Sequence, residues 1–192
     1  NEEVLGSGAI RTVDYLQAKG IHVQSVIDEG GAIYDGIIPG VAGLAAALGV
    51  SEKGYLSLTL RAQAVGGHSS TPSNNTAIGI LSRAIVQLLK HPFPAHPQVV
   101  LPMFKGLGSA ASPIMQLAFS NLWLFGGLVK SKLAGNPEAD ATIRTTTAAT
   151  IIKGGVKDNV LPSVAEAVVN FRLLPGESIA SVCEHVQKVI ND

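Results

Sequence analysis

Apolar positions change period along this chain, from helical to alternating and back, and their order predicts a mixed α/β fold. Residues 7–19 carry Ala9, Ile10, Val13 and Leu16 at helical spacing, with Gly20 as a stop. Ile21–Ile27 then reads as a short strand ending in the polar turn Asp28-Glu29-Gly30-Gly31. A polar, Gly-rich turn at a strand end is where α/β sheets place their sites. Residues 32–50 stay open: Ala45–Leu48 favours helix by propensity, whereas the Gly and Pro punctuation favours short strands. Tyr55–Val65 alternates cleanly, with Leu56, Leu58, Leu60, Ala62 and Ala64 on one face. The loop Gly66-Gly67-His68-Ser69-Ser70-Thr71-Pro72 follows, then a helix from about Asn75 to Lys90 striped by Ile78, Leu81, Ile85, Leu88 and Leu89. His91-Pro92 and Pro94 end it. Residues 92–143 break the rhythm and read as an insertion, mostly helical in its second half. Strand patterns return at Thr146–Lys153 and Val164–Leu174, and Ser178–Ile190 closes with Ile179, Val182, Cys183, Val186 and Ile190 at helical spacing. From Tyr55 onward this is a β-α-β-β-α-β sandwich whose last strand is missing.

Composition narrows the picture. Of 192 residues, 46% are apolar, enough for a buried core. With 14 basic and 14 acidic side chains the net charge is zero, which argues against a nucleic-acid surface or a basic membrane patch. The lone Cys183 excludes an internal disulfide. Residues 1–10 carry no signal-peptide pattern and do not resemble a natural start, so the chain is expected to be a piece of a longer protein whose localisation stays open. Ala110–Val129 is uncharged and near the length of a membrane span. Its Ser112, Pro113, Gln116, Ser120, Asn121, Gly126 and Gly127, without a polybasic flank, favour a helix buried in a core or an oligomer interface.

Several small constellations could carry chemistry. Adjacent Glu2 and Glu3 point opposite ways in extended backbone, so one can ligate a metal while the other faces a water; the plain alternative is a solvated helix start. Asp28-Glu29 offers hard carboxylates to Zn²⁺ or another divalent ion, or forms an ordinary turn. His68, flanked by glycines that allow close backbone approach, can donate to developing negative charge or be plain loop surface. Asn159 supplies an amide in a turn between strands. Arg172 shares a strand face with Glu166 and Asn170; it either clamps a substrate carboxylate or pairs with Glu166.

Taken together, these motifs resemble one family. Glu2-Glu3-Val4, Asp28-Glu29-Gly30-Gly31, Gly67-His68-Ser69-Ser70 with Pro72, and Gly154-Gly155 through Asn159-Val160-Leu161-Pro162 to Phe171-Arg172 are similar, in order, to the signatures of zinc-dependent aminoacylases and carboxypeptidases of the carboxypeptidase S type. The insertion 92–143 fits that branch. The resemblance implies that residues 1–53 end an α/β catalytic domain and that 54–192 form a lid and dimerisation domain. It implies two zinc ions, a pair that cobalt or manganese can replace. Glu2 would be the general base that deprotonates the attacking water, and Glu3 a ligand. Asp28 would be the second ligand, with Glu29 as the alternative. His68 would stabilise the tetrahedral oxyanion, often in a partner's active site, and Asn159 and Arg172 would bind the substrate's carbonyl or carboxylate. The implied reaction is hydrolysis of a peptide or N-acyl amino acid amide by a homodimer, with no nucleic acid and no membrane span. The family's His-x-Asp pair, bridging Asp and late His are missing here, because His22, His68, His91, His96 and His185 all lack their context. Val4-Leu5-Gly6 also departs from the family's glycine directly after Val. This segment by itself is therefore expected neither to hold two metals tightly nor to turn over substrate. The competing reading is a non-catalytic dimerisation or interaction module.

Overall fold

The computed structural model describes residues 7–26, 31–35, 43–107 and 110–191. Helix α1 (Ser7–Ala18) forms where the spacing predicts it, but it buries none of its residues. The strand expected at Ile21–Ile27 is a correction. Residues 21–26 form no strand, with Ile21 and Val23 half exposed and Val26 more so, and Ile27 lies outside the described residues. Alternation alone does not make a strand without a neighbour to complete its hydrogen bonds. Within the ambiguous stretch, β1 (Ala32–Asp35) pairs antiparallel with β2 (Leu44–Ala47), so pairing overrides the helix propensity of Ala45–Leu48.

The remaining elements build a sheet covered by helices. Strands β3 (Gly54–Gln63), β5 (Thr146–Gly154) and β7 (Val164–Leu173) form an antiparallel sheet in the order β3-β7-β5. Short strands β4 (Gly67–His68) and β6 (Val160–Leu161) pair separately. Helices α2 (Ala77–Lys90) and α7 (Ile179–Ile190) contribute their apolar stripes to the core. This is the expected β-α-β-β-α order, with the third strand of the unit inserted between the first two.

Side-chain size grades along the central strand. Ala165 and Ala167 lie in a cluster with Ala77 and Leu81 of α2, while Val169, Phe171 and Leu173 cluster with Val182 and Val186 of α7. Both helices start on side-chain caps: Thr76 Oγ1 accepts from the Gly79 N–H, and Ser178 and Ser181 form a reciprocal capping box.

The insertion is helical almost throughout, beyond the second half expected. A 3-10 turn (Pro97–Val100) leads into α3 (Leu101–Leu107), α4 (Pro113–Ser120), α5 (Leu122–Ala134) and α6 (Pro137–Ile143). Val100, Phe119, Val129 and Ile143 make a separate small core there. Its base is pinned shut. The nearly buried Arg144 contacts Asp140 Oδ1 at 2.7 Å and donates to the Phe93 carbonyl, and the His96 N–H donates to the Ile143 carbonyl. Lys53 also donates to the Arg144 carbonyl; burial pushes its ammonium below the ordinary lysine range, and Asp140 offsets part of that.

The uncharged stretch 110–129 is not one helix buried in a core, which corrects that half of the expectation; the oligomer-interface half concerns a second copy. It breaks at Asn121 into α4 and α5, and Trp123 is 84% exposed. Among the described residues no helix is long and apolar enough to cross a membrane.

Candidate functional site

The pairing of β4 with β6 builds the site. These two-residue strands set Gly67 against Leu161 and His68 against Val160, and the Ser69 N–H donates to the Asn159 carbonyl at 3.1 Å. Two motifs about ninety residues apart in sequence thereby become neighbours. Glycines make the approach feasible. A Cβ on Gly66 would sit 2.9 Å from the Leu161 carbonyl oxygen, and Gly155, with φ of +75°, turns the chain leaving β5. Gly66→Ala is accordingly expected to cost about 1–3 kcal/mol by overpacking. Thermal denaturation would measure that loss, and faster hydrogen exchange at the Ser69 amide would locate it between β4 and β6.

His68 is exposed and held in a defined tautomer. Its Nδ1 accepts the Ser70 backbone N–H at 3.2 Å and lies 2.8 Å from Ser70 Oγ. A ring nitrogen that accepts an N–H carries no proton, so the neutral imidazole bears its hydrogen on Nε2. That Nε2–H is available as a hydrogen-bond donor. Ser70 as the orienting partner went unnoticed in the sequence, although its place two residues after the His, within reach of a local turn bond, was a usable signal.

Asn159 brings an unmet demand. Its Oδ1 is buried and has no hydrogen-bond partner among the described residues. Such an atom costs about 1–3 kcal/mol while unpaired. A ligand carrying an N–H donor would relieve that cost, so the side chain suits a polar substrate group.

Arg172 stands elsewhere. It lies at the far end of β7, and the strand from Val164 to Arg172 spans roughly 26 Å. His68 and Asn159 sit beyond the Val164 end, so one chain does not bring the three residues to one small ligand. The alternative pairing of Arg172 with Glu166 is also corrected. Glu166 faces Arg61 in register, 3.3 Å away, while the Arg172 guanidinium stacks over Tyr55 at 4.8 Å from the ring centroid. Among the described residues no carboxylate pairs with Arg172, which leaves its fork free for a substrate carboxylate. Tyr55 was missed because its contact depends on strand register, which sequence spacing does not reveal.

Glu2, Glu3, Asp28 and Glu29 lie outside the described residues. Among the described residues no three His, Cys, Asp or Glu side chains gather to hold a metal ion.

Comparison with known proteins agrees with this architecture. Residues 50–192 match the family described as the peptidase dimerisation domain. The chain is 40% identical over 202 residues to the N-fatty-acyl-amino acid synthase/hydrolase PM20D1 of Homo sapiens, covering 100% of this chain and 39% of that protein. It is 37% identical over 196 residues to "Probable carboxypeptidase S-like 2" of Dictyostelium discoideum, covering 100% of this chain and 38% of that protein. The chain thus spans about two fifths of the length of the curated relatives it matches.

Proposed function

Because the chain belongs to the M20 peptidase family through its dimerisation domain, we propose that it forms the lid, and the end of the catalytic domain, of a hydrolase that cleaves the amide bond of a peptide or an N-acyl amino acid. The single observation that best supports this reading is the β4–β6 pairing, which brings a donor-ready His68 near Asn159, whose buried Oδ1 has no hydrogen-bond partner among the described residues. The family is generally metal-dependent. We assign the ligand roles to Glu3 and to Asp28, with Glu29 as its alternative, and two zinc ions to the parent enzyme. A bound metal would supply carbonyl polarisation and a more acidic water.

The chain's own residues then divide the remaining work. Glu2 takes the proton of the attacking water. His68 Nε2–H donates to the oxyanion, Asn159 binds the polar groups flanking the scissile amide, and Arg172 takes the substrate carboxylate. The span of β7 separates Arg172 from His68, so this scheme needs two subunits. One copy supplies Arg172 and its partner supplies His68 and Asn159. That division makes homodimerisation part of the reaction rather than an accessory to it.

The test is hydrolysis by the full-length protein across a panel of N-acyl amino acids and dipeptides, with and without a chelator. Cleavage that a chelator abolishes and added zinc restores is the expected result, and the preferred members of the panel identify the substrate class. A folded, metal-loaded dimer that hydrolyses none of them would replace this reading with the interaction module.

A further inference from the structure

We propose that the outer face of helices α4 and α5 docks on an anionic lipid surface. The zero net charge of the chain conceals a strong asymmetry. No Asp or Glu occurs between Glu52 and Glu138, while Lys105, Lys130 and Lys132 fall in the inserted segment and are exposed. The neutral composition that argued against a basic membrane patch was an average over acidic ends and a cationic middle.

The same segment is apolar on both sides. Inward, Phe119 and Val129 pack with Val100 and Ile143. Outward, Ile114 is 80% and Trp123 84% exposed, and Leu117, Leu124 and Leu128 are each more than half exposed. A helix on an ordinary protein surface turns a polar face to water, as α7 does with Glu184, Gln187 and Lys188. Large apolar side chains gathered in this way mark an interaction site.

Spacing and length indicate what covers it. Along α5, Lys130 follows Trp123 by seven residues and Lys132 follows Leu128 by four, so the cations flank the apolar residues on neighbouring rows of the helix. Lysine stems in that position cover apolar surface while their ammonium groups reach outward. Trp and Leu beside Lys is the pattern of a helix lying in the headgroup boundary of a membrane. The 13 residues of α5 extend roughly 20 Å, too short for a hydrocarbon core of about 30 Å, so the helix lies on the surface and does not span it. A second copy of the chain fits this face poorly. A two-fold interface sets the same patch against itself, and here that would bring Lys130 and Lys132 of one copy toward those of the other.

This inference rests on the surface alone and is independent of the reaction proposed above. Sedimentation of the full-length protein with vesicles of phosphatidylcholine, with and without phosphatidylserine, tests it. Binding is expected only when phosphatidylserine is present. Neutralising Lys105, Lys130 or Lys132 by alanine should weaken it about fivefold for each lysine. The double variant Trp123→Ser with Leu124→Ser should lose vesicle binding while keeping its melting temperature and its dimeric state. Emission assigned to Trp123 through Trp123→Phe should shift to shorter wavelength on the anionic vesicles. Absence of binding, or binding indifferent to phosphatidylserine and to the lysines, would overturn the proposal. So would a Trp123/Leu124 variant that binds vesicles normally but dissociates into monomers, because the face would then be a subunit interface.

Discussion

His68→Ala in the full-length enzyme is expected to lower kcat by about 10²–10³-fold with little change in KM. The Ser70 N–H occupies Nδ1, so the neutral ring keeps its proton on Nε2, and that donor has its greatest value where charge develops in the transition state. Steady-state kinetics on the preferred substrate would measure the effect. His68→Gln, which preserves an N–H donor of similar reach, should recover part of kcat, whereas a residue with only a packing role would show no such rescue. Subunit mixing adds a second readout. Mixed dimers of a His68→Ala subunit with a Glu2→Ala subunit should regain activity that neither homodimer has, because one of their two sites would combine an intact Glu2 with an intact His68 from the partner. An unchanged kcat in His68→Ala would remove this residue from the mechanism.

The second large effect is on stability. Phe171→Ala should destabilise the protein by about 3–5 kcal/mol, read as a lower denaturant midpoint and melting temperature. Phe171 is fully buried on the central strand, paired with Leu56 of β3 and Thr147 of β5. Its ring meets Phe93 edge-on at 6.0 Å, with Leu88, Val182 and Val186 in the same cluster. Removing it would leave a cavity where the sheet, helices α2 and α7 and the start of the insertion converge. Tyr55→Ala is the matched control. It lies on the neighbouring strand one pair away but is 67% exposed, so about 1 kcal/mol or less is expected. Equal losses at the two positions would contradict the core assignment.

The insertion shows why local pattern and tertiary environment separate. Within α5, Val129 is buried while its neighbour Leu128 is more than half exposed, and both are apolar. Hydropathy therefore marks the segment as unusual without saying which residues face inward. The break at Asn121 and the closure by Arg144 on Asp140 and the Phe93 carbonyl supply that information. The lipid-facing surface follows from the contrast between those inward and outward residues, and from a distribution of charge that whole-chain composition averages away.

The sequence by itself determined the elements whose burial is one-sided. β3, α2, β7 and α7 each carry an apolar row at the period of their own backbone, because a single face of each meets the core. It also marked the candidate residue types, since the glycine-flanked His68 and the Asn159 turn are local motifs. Tertiary structure alone decided which of them meet. Strand register gave Glu166 to Arg61 and Tyr55 to Arg172, the β4–β6 bridge joined His68 to Asn159, and the length of β7 held Arg172 away from both. Residues 21–26 show the converse, a strand-like pattern that remains irregular. Periodicity reports which face of an element is buried, whereas pairing and distance depend on hydrogen bonds between segments far apart in the chain, which local spacing does not encode.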